Sequence, residues 1–65
     1  MMNTKTYRYV NDLGRRKEIV IRENKGKCHF IIWDLQTGEM SSSGETTFKE
    51  IRNFLKHYSN VEEIK

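Results

Sequence analysis

Basic and aromatic side chains crowd a short stretch in the first half of the chain. An arginine or lysine there could neutralise phosphate groups whatever the base sequence. An indole ring could stack on any base, for about 1–3 kcal/mol per stacked base. Together these residue types predict a surface that binds nucleic acid, single strands in particular. The candidate binding residues are Arg15, Arg16, Arg22, Lys25, Lys27, His29 and Trp33.

Two of these residues have plainer explanations. Tryptophan is largely buried in most proteins, so Trp33 could pack in the core or against the end of the chain as readily as it could stack on a base. A lone histidine on a strand, such as His29, is far more often a surface or packing residue than a ligand or a catalyst.

The charge of the chain is concentrated in its first half. The net charge is +3, but residues 1–33 carry eight basic and three acidic side chains, whereas residues 34–65 carry four and six. Such a lopsided basic patch is typical of a protein with a polyanionic partner. The alternative is a solvated surface that keeps a small protein in solution.

No constellation of catalytic residues occurs in the sequence. It has no glycine-rich phosphate loop, no H-E-x-x-H and no C-x-x-C motif, and His29 and His57 fall on different predicted elements. Cys28 is the only cysteine, which excludes an intrachain disulfide and a multi-cysteine metal site. We therefore predict a protein that is not an enzyme and has no cofactor or metal.

The length of 65 residues suits one domain spanning residues 1–65. Such a chain buries only about 60% of its unfolded surface, so its core is marginal and a homodimer is expected to support it. No apolar run approaches the roughly 20 residues of a membrane span, and residues 1–5 lack the apolar stretch of a signal peptide. With its single thiol, the chain is expected to be cytoplasmic and to have no membrane partner.

Turn residues divide the first 45 residues into short β-rich runs. Glycines recur at positions 14, 26, 38 and 44, a spacing typical of a meander of short strands. Strands are predicted at about residues 5–10, 17–23 and 27–35, with residues 39–45 as a polar candidate fourth strand. Because Asn24 and Gly26 both tolerate positive φ, a tight hairpin is predicted between the second and third strands.

The hydrophobic period then changes to that of a helix, predicted over about residues 47–59. Thr47 and Glu50 form a T-x-x-E capping box at its start. An apolar stripe follows at helical spacing: Phe48, Ile51, Phe54, Leu55 and Tyr58. Val61 and Ile64 form a short tail that could extend the helix or dock on a partner chain. The predicted fold is α+β, an antiparallel meander followed by one amphipathic helix packed on one sheet face.

Alternation along the strands predicts which sheet face the helix covers. The apolar sets Ile19/Ile21 and Cys28/Phe30/Ile32 belong under the helix. The opposite face, called the open face below, then carries a mixed basic and aromatic set: Val20, Arg22, Lys27, His29, Ile31 and Trp33.

Residues 13–27, L-G-R-R-K-E-I-V-I-R-E-N-K-G-K, resemble the second strand and hairpin of the positive-cofactor-four family of transcriptional coactivators and single-stranded-DNA-binding proteins. The shared features are a basic residue after glycine, a strand ending in arginine, an acidic residue and then K-G-K. Gly38-Glu39-Met40 resembles a G-E-M in the next turn of the family, so the resemblance covers about residues 12–58.

The resemblance implies a four-stranded antiparallel sheet and a helix through which members dimerise. It also implies non-specific binding of single strands by the curved sheet, at the positions matching Arg22, Lys25, Lys27 and Trp33. The sequence departs from the family at Asn24, where an aromatic residue is usual. It departs again at residues 41–45, where serines and Glu45 replace a basic loop. These departures imply weaker binding or a different partner.

Three functions compete at this point. The first is sequence-independent binding of single-stranded DNA or RNA by a dimer. The second is a small protein-binding module or inhibitor, of the kind that phages and mobile elements encode, which would dock through the open face or an edge strand. The third is a three-stranded sheet that reads duplex DNA in the major groove, as in some integrase arm-binding domains.

Overall fold

A computed structural model describes residues 3–65, which form one antiparallel sheet and one helix. The elements are β1 Asn3–Val10, β2 Arg16–Asn24, β3 Lys27–Asp34, β4 Met40–Thr46, α1 Phe48–Leu55 and β5 Glu62–Ile64. The strands lie in the order β4-β3-β2-β1-β5 and the sheet is open. The predicted α+β fold with a helix after the strands is confirmed, and the candidate fourth strand is present.

The hairpin between β2 and β3 has a two-residue loop of Lys25 and Gly26. Both have positive φ, 54° and 81°, and Asn24 pairs with Lys27 across the strands. Positive φ at both central residues is the type I′ geometry, whose twist matches that of the flanking strands. The tight hairpin was therefore predicted correctly, but Lys25, and not Asn24, takes the left-handed conformation.

Replacing Lys25 with asparagine is expected to raise the free energy of unfolding by up to about 1 kcal/mol. A lysine in the left-handed region is strained by about 1–2 kcal/mol, whereas Asn-Gly is the favoured pair for this turn. Urea unfolding followed by circular dichroism measures the change. Lys25→Ala removes the same charge but keeps the strain, so an equal gain in that variant would contradict the backbone explanation.

Helix α1 is shorter than predicted. Thr47 is its N-cap, and the Thr47 Oγ1 accepts a hydrogen bond from the Glu50 amide at 3.3 Å, which is one of the two bonds of a capping box. The helix ends at Leu55, four residues before the predicted end at 59. After it the His57 and Tyr58 amides bond to carbonyls three residues back. Such bonds tighten the last turn and start the chain back towards the sheet.

The core lies between α1 and the sheet face beneath it. Its buried members are Tyr9, Ile19, Ile21, Cys28, Ile51 and Leu55. These include Ile19, Ile21 and Cys28 from the sets that alternation placed under the helix, and the half-buried Phe30 and Ile32 pack against them. Cys28 is 0% exposed, and burial raises the pKa of its thiol, so the neutral thiol serves as an apolar core group.

An aromatic cluster joins β1 to the helix. The Tyr9 ring centroid lies 5.6 Å from that of Phe54 and 4.6 Å from that of Tyr58, and the Phe54 and Tyr58 centroids are 5.4 Å apart. Rings in tilted or edge-on contact at these distances contribute beyond their buried area. Burial raises the pKa of Tyr9 to about 12, so its phenol stays neutral.

The tail after the helix forms a strand. Within β5, Glu62, Glu63 and Ile64 pair antiparallel with Arg8, Tyr7 and Thr6 of β1. The tail therefore does not extend the helix, which corrects that expectation, whereas docking of the tail on a partner chain stays a prediction. Three residues are too few for a pattern of alternation, so the sequence could not reveal this strand.

Candidate nucleic-acid interface

The open face is the sheet surface opposite the helix, and it holds the residues that alternation predicted. Together with Asn24, five of the six residues assigned to it line a concave pocket with a volume of about 510 Å³. These five are Val20, Arg22, His29, Ile31 and Trp33. The sixth, Lys27, alternates with His29 and lies opposite Asn24 at the hairpin end.

Strand register sets the arrangement of this face. Val20 lies opposite Ile31 and Arg22 lies opposite His29, so an apolar pair is followed by a basic and imidazole pair. Trp33 follows Ile31 on the same face and is 36% exposed. The indole is therefore neither a core residue nor covered by the tail. A strip of apolar and aromatic surface thus runs from Trp33 to Val20 and ends at cationic groups.

Two basic residues of the open face keep their charge available. Arg22 and Lys27 are both exposed, and within residues 3–65 neither has a salt-bridge partner. Lys25, at the tip of the same hairpin, is exposed beside them. The hairpin end of the open face is therefore its most positive part.

Carboxylates border the same face at other points, and their role was not predicted from the sequence. The Arg8 Nε lies 2.9 Å from the Glu18 Oε2, and the His29 Nε2 lies 2.9 Å from the Glu45 Oε2. Glu18 also lies opposite Trp33 across β2 and β3. Opposite charges at cross-strand positions signal such pairs, but the signal is readable only when the register is known.

Arg16 belongs to the row of β2 side chains that includes Arg22, but at the far end of the strand. It pairs with Val10 of β1 and is exposed. At about 3.3 Å per residue, Arg16 and Lys25 stand roughly 30 Å apart. The candidate basic residues on β2 and its hairpin therefore form a line and not a cluster.

Arg15 is held in a different environment. Its Nε and Nη2 donate hydrogen bonds to the Asp34 Oδ2 at 3.0 and 2.8 Å, and the Lys17 Nζ lies 3.2 Å from the same oxygen. Asp34 is 6% exposed. Arg15 stays a predicted binding residue, but its guanidinium already bonds to the Asp34 carboxylate and so joins the residue before β2 to the end of β3.

Residues 3–65 contain no group of three or more His, Cys, Asp or Glu side chains placed to hold a metal ion. Their one helix is not long and apolar enough to cross a membrane.

The chain was also compared with known proteins. No family model, no curated protein and no solved structure matches it. The resemblance to the positive-cofactor-four family therefore stays a prediction.

Proposed function

We propose that the open face binds single-stranded nucleic acid without sequence preference and without catalysis. The observation that carries this proposal is the exposed indole of Trp33 on a concave sheet surface whose hairpin end bears Arg22 and Lys27 without salt-bridge partners among residues 3–65. Stacking platforms beside a basic groove are the usual means by which proteins bind single strands.

Charge favours one orientation of the strand. Glu18 lies opposite Trp33, and Glu45 lies beside His29, so phosphate groups near the indole would meet carboxylates. The sugar-phosphate backbone would instead pass the hairpin, where Arg22, Lys25 and Lys27 are exposed. One base would stack on Trp33, and the apolar pair Val20 and Ile31 would support its neighbour.

The double substitution Arg22→Ala with Lys27→Ala is expected to weaken oligothymidine binding by about tenfold or more, because two phosphate contacts are lost. The slope of log K against log salt concentration should become shallower by about 1.4, since each contact to a single strand contributes about 0.7. Quenching of Trp33 fluorescence during titration at several salt concentrations measures both quantities. Lys49→Ala with Lys56→Ala removes two exposed charges from the helix region and should change neither.

The same titration separates the competing functions. If the Arg22/Lys27 variant and the Lys49/Lys56 variant lose oligothymidine affinity equally, net charge alone drives association. That result would contradict binding by the open face. Tighter binding of duplex than of oligothymidine would favour major-groove reading. Absence of binding at low salt would overturn both nucleic-acid functions and leave the protein-binding module.

A further inference from the structure

Strand β4 presents an open edge. Among residues 3–65 it pairs only with β3, at the end of the sheet, and all of its residues except Thr46 are exposed. Native edge strands are usually guarded by lysine, proline or a covering segment, and β4 contains neither residue type. A register shift opposite Ile32 and Trp33 distorts its start, which leaves residues 42–46 as a regular edge.

An apolar groove runs beside this edge on the helix side of the sheet. Its volume is about 430 Å³, and its apolar lining consists of Ile19, Phe30, Ile32, Ile51 and Phe54. An eight-residue helix is only about 12 Å long. Its aromatic contacts are to Tyr9 of β1, so Phe30 and Ile32 of β3 remain only half-buried.

Because Gly44 has no side chain, the groove extends to the open edge of β4. A Cβ at this position would lie 3.1 Å from the Cζ of Phe30, so the ring already occupies the space that a side chain would need. Residues directly opposite on neighbouring strands are side-by-side on one face. A strand added to β4 would therefore place the side chain opposite Gly44 against the exposed edge of the Phe30 ring.

The charge at this site is opposite to that of the hairpin. Glu45 and Glu50 are the charged residues that line the groove, and no basic residue of the described chain lines it. Glu50 is on the helix side, whereas Glu45 pairs with His29 on the open face. Nucleic acid would be repelled here, but a basic segment would be attracted on both sides of the added strand.

We propose that an extended protein segment with alternating apolar and basic side chains adds to β4 as a sixth strand. Its backbone would pair with residues 42–46, which is the established manner of strand addition. Its apolar side chains would enter the groove against Phe30. Its basic side chains would point to the opposite face, beside Glu45.

The probe for this site is a fluorescein-labelled peptide of alternating lysine and valine, seven residues long. Anisotropy titration should show saturable binding, and those amides of residues 42–46 that point away from β3 should become protected from hydrogen exchange. A matched peptide of glutamate and valine should bind at least about tenfold more weakly. N-methylation of alternate peptide nitrogens, which removes the strand hydrogen bonds, should abolish binding.

Substitutions at the two edges of the sheet test where the peptide binds. The double substitution Glu45→Gln with Glu50→Gln should lower the affinity for the lysine-valine peptide by about five- to tenfold. Glu62→Gln with Glu63→Gln, at the other edge of the sheet, should leave that affinity unchanged. Oligothymidine affinity should not decrease in either variant. Retained binding of the N-methylated peptide would overturn the proposal. Protection of residues 42–46 without peptide, with a mass that rises with protein concentration, would also overturn it by showing that a second copy occupies the edge.

Discussion

Replacing Ile21 with alanine is expected to lower the Tm of the domain by about 10 °C or more. Ile21 is 1% exposed at the centre of β2, and truncating such a residue costs about 2–5 kcal/mol. A 65-residue domain has a total stability of only about 3–10 kcal/mol, and each kilocalorie shifts the Tm of a small domain by about 4–8 °C. Thermal unfolding followed by circular dichroism measures the loss.

The neighbouring residue supplies a matched control. Val20 precedes Ile21 but lies on the open face, where it is only partly buried. Val20→Ala should therefore lower the free energy of unfolding much less than Ile21→Ala does. Ile21→Val should lower it by about 1 kcal/mol. Equal losses at positions 20 and 21 would contradict the assignment of the two sheet faces.

Asp34→Asn is the second substitution with a large expected effect. Besides Arg15 and Lys17, the Asp34 carboxylate accepts hydrogen bonds from the amides of Gln36 and Thr37, at 2.8 and 3.1 Å. The amide of asparagine would leave two cations without a counter-charge, and the Lys17 side chain is only 14% exposed. We expect a clear decrease in Tm, whereas Asp12→Asn, in an exposed turn, should leave the Tm unchanged.

The same carboxylate makes stability depend on acid pH. Hydrogen bonds, chiefly from Arg15, hold the pKa of Asp34 well below its ordinary value of 3.8, although burial acts in the opposite direction. A carboxyl with a lowered folded pKa stabilises the fold fully above its unfolded pKa and loses that contribution as pH falls below it. Denaturation midpoints should therefore fall more steeply below about pH 4 in the wild type than in Asp34→Asn. Parallel curves would contradict this role.

Local patterns were sufficient to predict most of the fold. Alternation separated Ile19 and Ile21 from Val20 and Arg22, because one face of an antiparallel sheet must be apolar to bury a helix. The T-x-x-E box at Thr47 located the start of the helix for an equally local reason. The serine-rich segment at residues 40–46 was harder, since its strand conformation comes from pairing with β3 and not from its own residues.

What the sequence could not reveal depends on distant partners. The hydrogen bonds from Arg15 to Asp34 join residues 19 positions apart. Strand β5 forms by pairing with the edge of β1, which lies far from it in the sequence. The helix ends early because the chain must return to that edge. For the candidate site, the sequence predicted the cationic and aromatic residues, but their neutralising neighbours Glu18 and Glu45 became apparent only once the strand register was known.

The pairing of β5 with β1 has a consequence for the order of folding. The other neighbouring strands, β1–β2, β2–β3 and β3–β4, follow one another in the chain, so each can form from a local turn. Pairing of Thr6 with Ile64 instead closes nearly the whole chain and must come late. Until β5 has been synthesised, the outer edge of β1 remains unpaired. Strand β1 carries Lys5 and Arg8, and such charges on an edge strand discourage mispairing with another strand.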